Sequence, residues 1–240
     1  MASNQEQQQQ QQLNDALVRA AKQGSLADIQ SLLDRHANID ARAERNCTPL
    51  HYASIKAHHQ CIELLLDRHA DINARDHNNS TPLHYASMKG HHQCIEILLD
   101  RHADVDARDN NNIIPLHYAS INGHHQCIEI LLDRHADVDA RDHNNITPLH
   151  HASLNGHPQC IEILLDRHAD INARASNNCT PLHLASLNGN RQCIEILLDR
   201  GADKSLINVR LSLSFSAYAS ISLMNASTTI NQSQRIILTP

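Results

Sequence analysis

Twenty histidines and seven cysteines are the groups in this 240-residue chain that could do chemistry. They recur at a fixed interval. The tripeptide Cys-Ile-Glu starts at Cys61, Cys94, Cys127, Cys160 and Cys193. A Pro-Leu-His run places His51, His84, His117, His150 and His183 in the same 33-residue period. Imidazoles and thiolates together are zinc ligands. A Cys–His pair can serve as nucleophile and base, and imidazole alone titrates near neutral pH. An active site is normally singular, however, and here each candidate is repeated five-fold in an equivalent position. That repetition favours a structural role over catalysis. No Gly-rich phosphate loop and no nucleophile elbow accompanies it. The pairs His58-His59, His91-His92 and His124-His125 could clamp a metal between adjacent copies. Yet no His stands at i+4 from another on one helix, and no carboxylate or thiol completes a set, so neither metal nor cofactor is expected. A bulk effect is expected instead. Full protonation of the histidines would carry the formal charge from −6 to +14, and like charges would then repel, with loss of stability or partner release below about pH 6.

Each 33-residue unit reads as two short helices and a loop. In the copy that opens at Asn79, Thr81 is an N-cap and Pro82 occupies the first helical position, where its missing N–H costs nothing. Leu83, Ala86 and Met88 lie on the first helix, and Gly90 ends it. Cys94, Ile95, Leu98 and Leu99 form one apolar stripe on the second. Neither helix reaches the length of ~12–15 residues at which an isolated helix holds in water, so each must stack on a neighbour. Five copies are nearly identical. A sixth, degenerate one precedes them, Leu32–Ala37 aligning with Leu65–Ala70.

Composition narrows the function. Aromatic residues are 2% of the chain, which argues against base-stacking nucleic-acid modules, and a net charge of −6 argues against a phosphate-tracking surface. An odd cysteine count with no N-terminal signal peptide points to reduced thiols in the cytosol, with the nucleus as an alternative. The uncharged window Leu211–Gln234 is more than half Ser, Thr, Asn and Gln, too polar for a membrane span.

The 33-residue period, with Thr-Pro-Leu-His-Tyr-Ala, Gly-His, Ile-Leu-Leu and Ala-Asp-Val-Asp-Ala, closely resembles the ankyrin repeat. The resemblance implies an all-α solenoid of about six repeats, made of helix-turn-helix units with β-hairpin fingers. The units fall at about 13–45, 46–78, 79–111, 112–144, 145–177 and 178–205. Residues 1–12, with their Gln run, are expected to be disordered, and 206–240 form a Ser-rich apolar tail. That tail either caps the last repeat or is poorly ordered, and it also offers a route to self-association. Its Leu211, Leu213 and Phe215 alternate with serines in a strand-like period.

Departures from the family pattern are specific. His69, His102, His135 and His168 stand where the family has a left-handed Gly, and Asn46, Asn79, Asn112, Asn145 and Asn178 hold the finger Gly position. Ala57 replaces an inter-helix Gly. Ile114 replaces a capping Thr, at a cost of roughly 1 kcal/mol. Arg19 and Asp28 give the first unit a polar outer face. The repeated cysteines should be small buried hydrophobes, and the finger cysteines Cys47 and Cys179 more exposed.

The resemblance further implies a protein-interaction scaffold or adaptor, not an enzyme, that grips another polypeptide in a concave groove. Carried over by position, the finger tips are Glu44, Arg45, His77, Asn78, Asn110, Asn111, His143, Asn144, Ser176 and Asn177. The first-helix ridge is Ile55, Lys56, Met88, Lys89, Ile121, Asn122, Leu154, Asn155, Leu187 and Asn188. A His-rich protein responding to pH or metal is the alternative.

Overall fold

The computed structural model describes residues 2–206, and the tail beyond them, with its expected cap, lies outside the described residues. Twelve α-helices are described, in six pairs, with short 3-10 turns at Glu44–Asn46 and Lys204–Leu206. They are α1 (Ala2–Gln23), α2 (Leu26–Asp34), α3 (Pro49–Ile55), α4 (His59–Asp67), α5 (Pro82–Lys89), α6 (His92–Asp100), α7 (Pro115–Asn122), α8 (His125–Asp133), α9 (Pro148–Asn155), α10 (Pro158–Asp166), α11 (Pro181–Leu187) and α12 (Arg191–Asp199). Residues up to Ala202 form one compact unit, and Asp203 opens a second.

Within the first unit the first helices stack on one another in the order α1, α3, α5, α7, α9, α11. The second helices form a parallel layer, α2, α4, α6, α8, α10, α12. The core runs between the layers and is built from Leu, Ile, Ala and Cys: Leu50, Ile62, Leu65, Leu83, Ile95 and Leu98 are fully buried, as are their counterparts in the next two copies, while Ile194 in the last pair is only partly buried. Arg19 and Asp28 are exposed, so the first pair does turn a polar face outward. Charge lies on the surface in a regular ladder. Arg68, Arg101, Arg134, Arg167 and Arg200 each reach the aspartate that closes the second helix of the preceding repeat, at 2.6–3.2 Å. Pairs this exposed contribute little, ~0–1 kcal/mol each.

Three expectations need correction. The Gln run is helical, as part of α1. Leu17, Ala20 and Ala21 anchor the C-terminal half of that helix in the core. Once nucleated, a helix extends cheaply through Gln, a good helix former. Gln10 also donates to the His36 carbonyl at 3.0 Å. The fingers are not β-hairpins: no strand occurs among the described residues. Each is a tight turn closed by short-range backbone bonds, such as Asp76 N–H to the Ser80 carbonyl at 3.0 Å and Asn79 N–H to the Asp76 carbonyl at 3.1 Å. Neighbouring tips are tied by one further bond, such as Asn110 N–H to the Asn78 carbonyl at 2.9 Å. Finally, Cys47 and Cys179 are wholly buried, because closure of the finger turns their side chains beneath it. Burial pushes their thiols up, to about 12 and about 11, so both are inert at neutral pH.

The left-handed positions hold as read. His69, His102, His135 and His168 have φ of 65–67°, and Asn79, Asn112, Asn145 and Asn178 of 57–65°. Ile114 has lost the capping hydroxyl, but its side chain is fully buried and joins the core in exchange. Ala57 is the costly departure. It sits at φ 58° beneath His91, whose counterparts His124 and His157 would lie 2.6 Å from a Cβ on Gly90 and Gly123. Ala57→Gly removes both the strained φ and that crowding. It is expected to stabilise the protein by about 1 kcal/mol, read as a higher urea midpoint with an unchanged slope.

Candidate functional site

The motif histidines are joints between repeats. In each copy a backbone N–H donates to Nδ1, from Thr48 to His51 at 3.1 Å, Thr81 to His84 at 3.0 Å, Ile114 to His117 at 3.3 Å and Thr147 to His150 at 3.2 Å. Nδ1 is therefore the acceptor, and Nε2 carries the proton. That Nε2–H donates to a carbonyl of the next repeat, 29 residues on: Ser80, Ile113, Ile146 and Cys179, each at 3.1 Å. Burial is the main force holding these rings neutral, with pKa values lowered to about 4 for His51, His117 and His150 and about 3 for His84.

The histidine pairs at the start of the second helices are split by function. His58, His91, His124 and His157 turn inward, and their Nε2 atoms lie 3.0–3.2 Å from carbonyls 36 residues earlier. His59, His92 and His125 are left half-buried or exposed. The two members of a pair thus do different jobs. Among the described residues no group of three or more His, Cys, Asp or Glu is placed to hold a metal ion.

A second set of joints was not foreseen from the sequence. Asp76 accepts from the backbone N–H of Asn78 and Ser80 at 2.9 and 2.7 Å and from the Tyr85 hydroxyl at 2.7 Å. Asp109 does the same with Asn111, Ile113 and Tyr118 at 2.8, 3.0 and 2.8 Å. Each carboxylate closes its own finger and pins it to the first helix that follows. Arginines then link finger to finger. Arg42, Arg75, Arg108 and Arg141 each donate to the carbonyl of the equivalent arginine or its counterpart in the next finger, at 2.7–3.2 Å.

The expected contact residues fall into three groups on this frame. Lys56, Asn155, Leu187 and Asn188 are exposed on the ridge, as are Glu44, His77, Asn110, Asn111, His143 and Ser176 at the tips. Arg45, Asn78, Asn144, Asn177, Lys89, Ile121, Asn122 and Leu154 are half-buried. Ile55 and Met88 are buried, which corrects the expected apolar knob in those two copies. First helices stacked on either side take up their surface. Several amides are already engaged. Asn122 donates to the Tyr118 carbonyl at 2.8 Å, Asn155 to His151 at 2.9 Å and Asn188 to Leu154 at 2.7 Å. Lys89 is half-buried, and desolvation with the nearby Lys56 charge lowers its pKa. Among the described residues no helix is long and apolar enough to cross a membrane.

This architecture of stacked helix pairs and finger turns defines a class of repeat proteins whose members generally act as protein–protein interaction modules. The family model for ankyrin repeats matches the chain in three copies, over residues 3–76, 69–142 and 116–208, and the chain belongs to the ankyrin-repeat family. No curated protein matches it.

Proposed function

We propose that the chain is a non-enzymatic scaffold that binds another polypeptide across its finger tips and first-helix ridge. The observation that carries this reading is where the copies differ. From Gln60 to Arg68 and in its four later counterparts, the second helix changes only at Leu64, which is Ile in the others. The fingers and the ends of the first helices vary instead. His77 becomes Asn110, His143 and Ser176, and Lys56 becomes Lys89, Asn122, Asn155 and Asn188. Sequence individuality is thus concentrated on one surface, while the opposite layer is kept uniform for packing.

The exposed groups set the partner's chemistry. Asn110, Asn111, Asn155 and Asn188 present exposed amides, three of them with one N–H engaged within the array, exposed Leu187 and half-buried Leu154 offer apolar area, and Lys56 adds a cation near the N-terminal end. Such a surface suits a largely neutral polypeptide with any acidic part over the second and third repeats. A reducing compartment, the cytosol or the nucleus, belongs to the same proposal. All seven thiols are buried and pack as small apolar groups. The test is photo-crosslinking from cells with benzoylphenylalanine placed at Asn111 or, as a control, at Glu129 on the second-helix layer. A polypeptide captured from Asn111 alone is expected. Asn111→Arg with Asn144→Arg, the probe then at Ser176, should cut its yield by about tenfold or more. Equal capture from both faces would overturn the assignment.

A further inference from the structure

Carboxylates are kept off one edge of the array, although the chain is net acidic. None of its 26 Asp and Glu lies within 48–60, 81–93, 114–126, 147–159 or 180–192, the first helix and following turn of five successive copies. Most of each first helix is buried, so the solvent sees its last residues and the turn. There Lys56 and Lys89 occupy equivalent places in adjacent copies. Neither has an ion-pair partner among the described residues, whereas the five ladder arginines are all paired. Lys89 is half-buried, and desolvation, with the Lys56 charge second, lowers its pKa. The second helices α4 and α6 begin at the same edge with no acidic residue in their first turns, so their partial positive ends are not neutralised.

The same row changes character along its length. Where the lysines stand, the apolar residue before them is covered: Ile55 and Met88 are each 4% exposed. From the fourth copy onward the cation is replaced by Asn122, Asn155 and Asn188. The apolar neighbour emerges in step, with Ile121 and Leu154 half-buried and Leu187 41% exposed. One end of the ridge therefore attracts anions and the other offers apolar area. Four helix-to-helix steps separate Lys56 from Asn188, roughly 32–40 Å, which ~10–12 residues of extended chain would span.

We propose that the ridge takes a linear, extended segment of another polypeptide in one direction, its carboxylates over Lys56 and Lys89 and its apolar side chains toward Leu187. The inference rests on the scaffold reading and gives its partner a charge order and an orientation. An ammonium already stripped of part of its water, beside a second one, gains more from an incoming carboxylate than a fully solvated lysine does. The bare edge also leaves no carboxylate of its own to repel that segment. A polynucleotide fits less well, because Tyr52, Tyr85 and Tyr118 are buried and leave no ring on which a base could stack.

Selection of a random dodecapeptide phage library on the full chain tests this. Enriched peptides are expected to carry Asp or Glu in one terminal third and Leu, Ile, Val or Phe in the other. Lys56→Gln with Lys89→Gln should weaken a selected peptide by about tenfold or more, read by fluorescence anisotropy, with the urea midpoint as the check on folding. A photo-crosslinker on the apolar end of that peptide should label α11, and one on the acidic end α3 or α5. Enrichment of basic or unpolarised peptides, no enrichment, unchanged affinity in the double variant, reversed labelling, or equal displacement by poly-uridylate would overturn the proposal. Carboxylate-free peptides whose binding is still lost with Asn111→Arg and Asn144→Arg would overturn it too, while leaving the scaffold reading in place.

Discussion

Urea titrations at pH 7.5, 6.5 and 5.5 are expected to show stability falling steeply once the pH drops below 6.5. The cause is the buried histidine series. His51, His84, His117 and His150 accept a backbone N–H at Nδ1, so a proton placed there would face another donor. Burial holds their pKa values at about 4, about 3, about 4 and about 4, against 6.5 for the free ring. Because the folded values are depressed, the unfolded chain takes up protons first as the solution is acidified. Each ring's contribution is whole above pH 6.5 and drains away as the pH falls toward the folded value, at about 1.4 kcal/mol per pH unit. Four rings acting together lose about 5 kcal/mol per pH unit, against a typical total of ~5–15 kcal/mol for a domain. Burial also raises Asp40, Asp106, Asp109, Asp139 and Asp142. Those carboxylates act in the opposite sense, losing stability as the pH rises from 3.8 through their folded values. Their window opens at the acid end, and the loss just below pH 6.5 belongs to the histidines. His84→Gln should flatten the slope by one ring's share. A midpoint constant from pH 7.5 to 5.5 would remove the mechanism. The acid sensitivity expected from the sequence thus has a different seat: buried neutral rings at the joints, where surface charge repulsion had been anticipated.

Removing one finger carboxylate should cost nearly as much. Asp109→Ala would strip acceptors from the Asn111 and Ile113 amides and from the buried Tyr118 hydroxyl. The expected loss is about 3–5 kcal/mol, since buried donors left without partners bear their full desolvation penalty. The chain contains its own control. Asp142 accepts from Asn144 and Ile146 at 2.7 and 2.8 Å, but His151 stands in the tyrosine position of that repeat, and its Nε2 is buried without a hydrogen-bond partner. Asp142→Ala frees one donor fewer and should cost about 1–2 kcal/mol less. Equal losses for the two variants, measured by urea unfolding, would show that the tyrosine bond contributes nothing.

The parts of this molecule set by short-range chemistry were legible. Pro82 after Thr81, the apolar stripe at Cys94, Ile95, Leu98 and Leu99, and His or Asn at left-handed positions all follow from neighbours within one turn. What escaped reading depends on partners a repeat away or on closure of a loop. Asp76 and Asp109 in Asn-rich segments look like solvated loop residues until the turn brings the tyrosine of the following helix to the carboxylate. Cys47 looks exposed for the same reason. Ile55 and Met88 lose their surface to the first helices of adjoining repeats, and the first half of α1 borrows its order from an anchored second half. At the candidate contact positions the sequence separates polar from apolar side chains but not exposed from half-buried ones, because burial between stacked helices is a property of the assembly and not of the local sequence.

The joints have a further consequence through their constant intervals. Each histidine, each finger arginine and each ladder arginine spans the same sequence distance to its partner in copy after copy. Any internal boundary is therefore interchangeable with any other. Gain or loss of a whole module by unequal crossing-over would leave every remaining bond intact and alter only how far the molecule reaches. The number of copies is a ruler setting, adjustable between generations without redesigning a single contact.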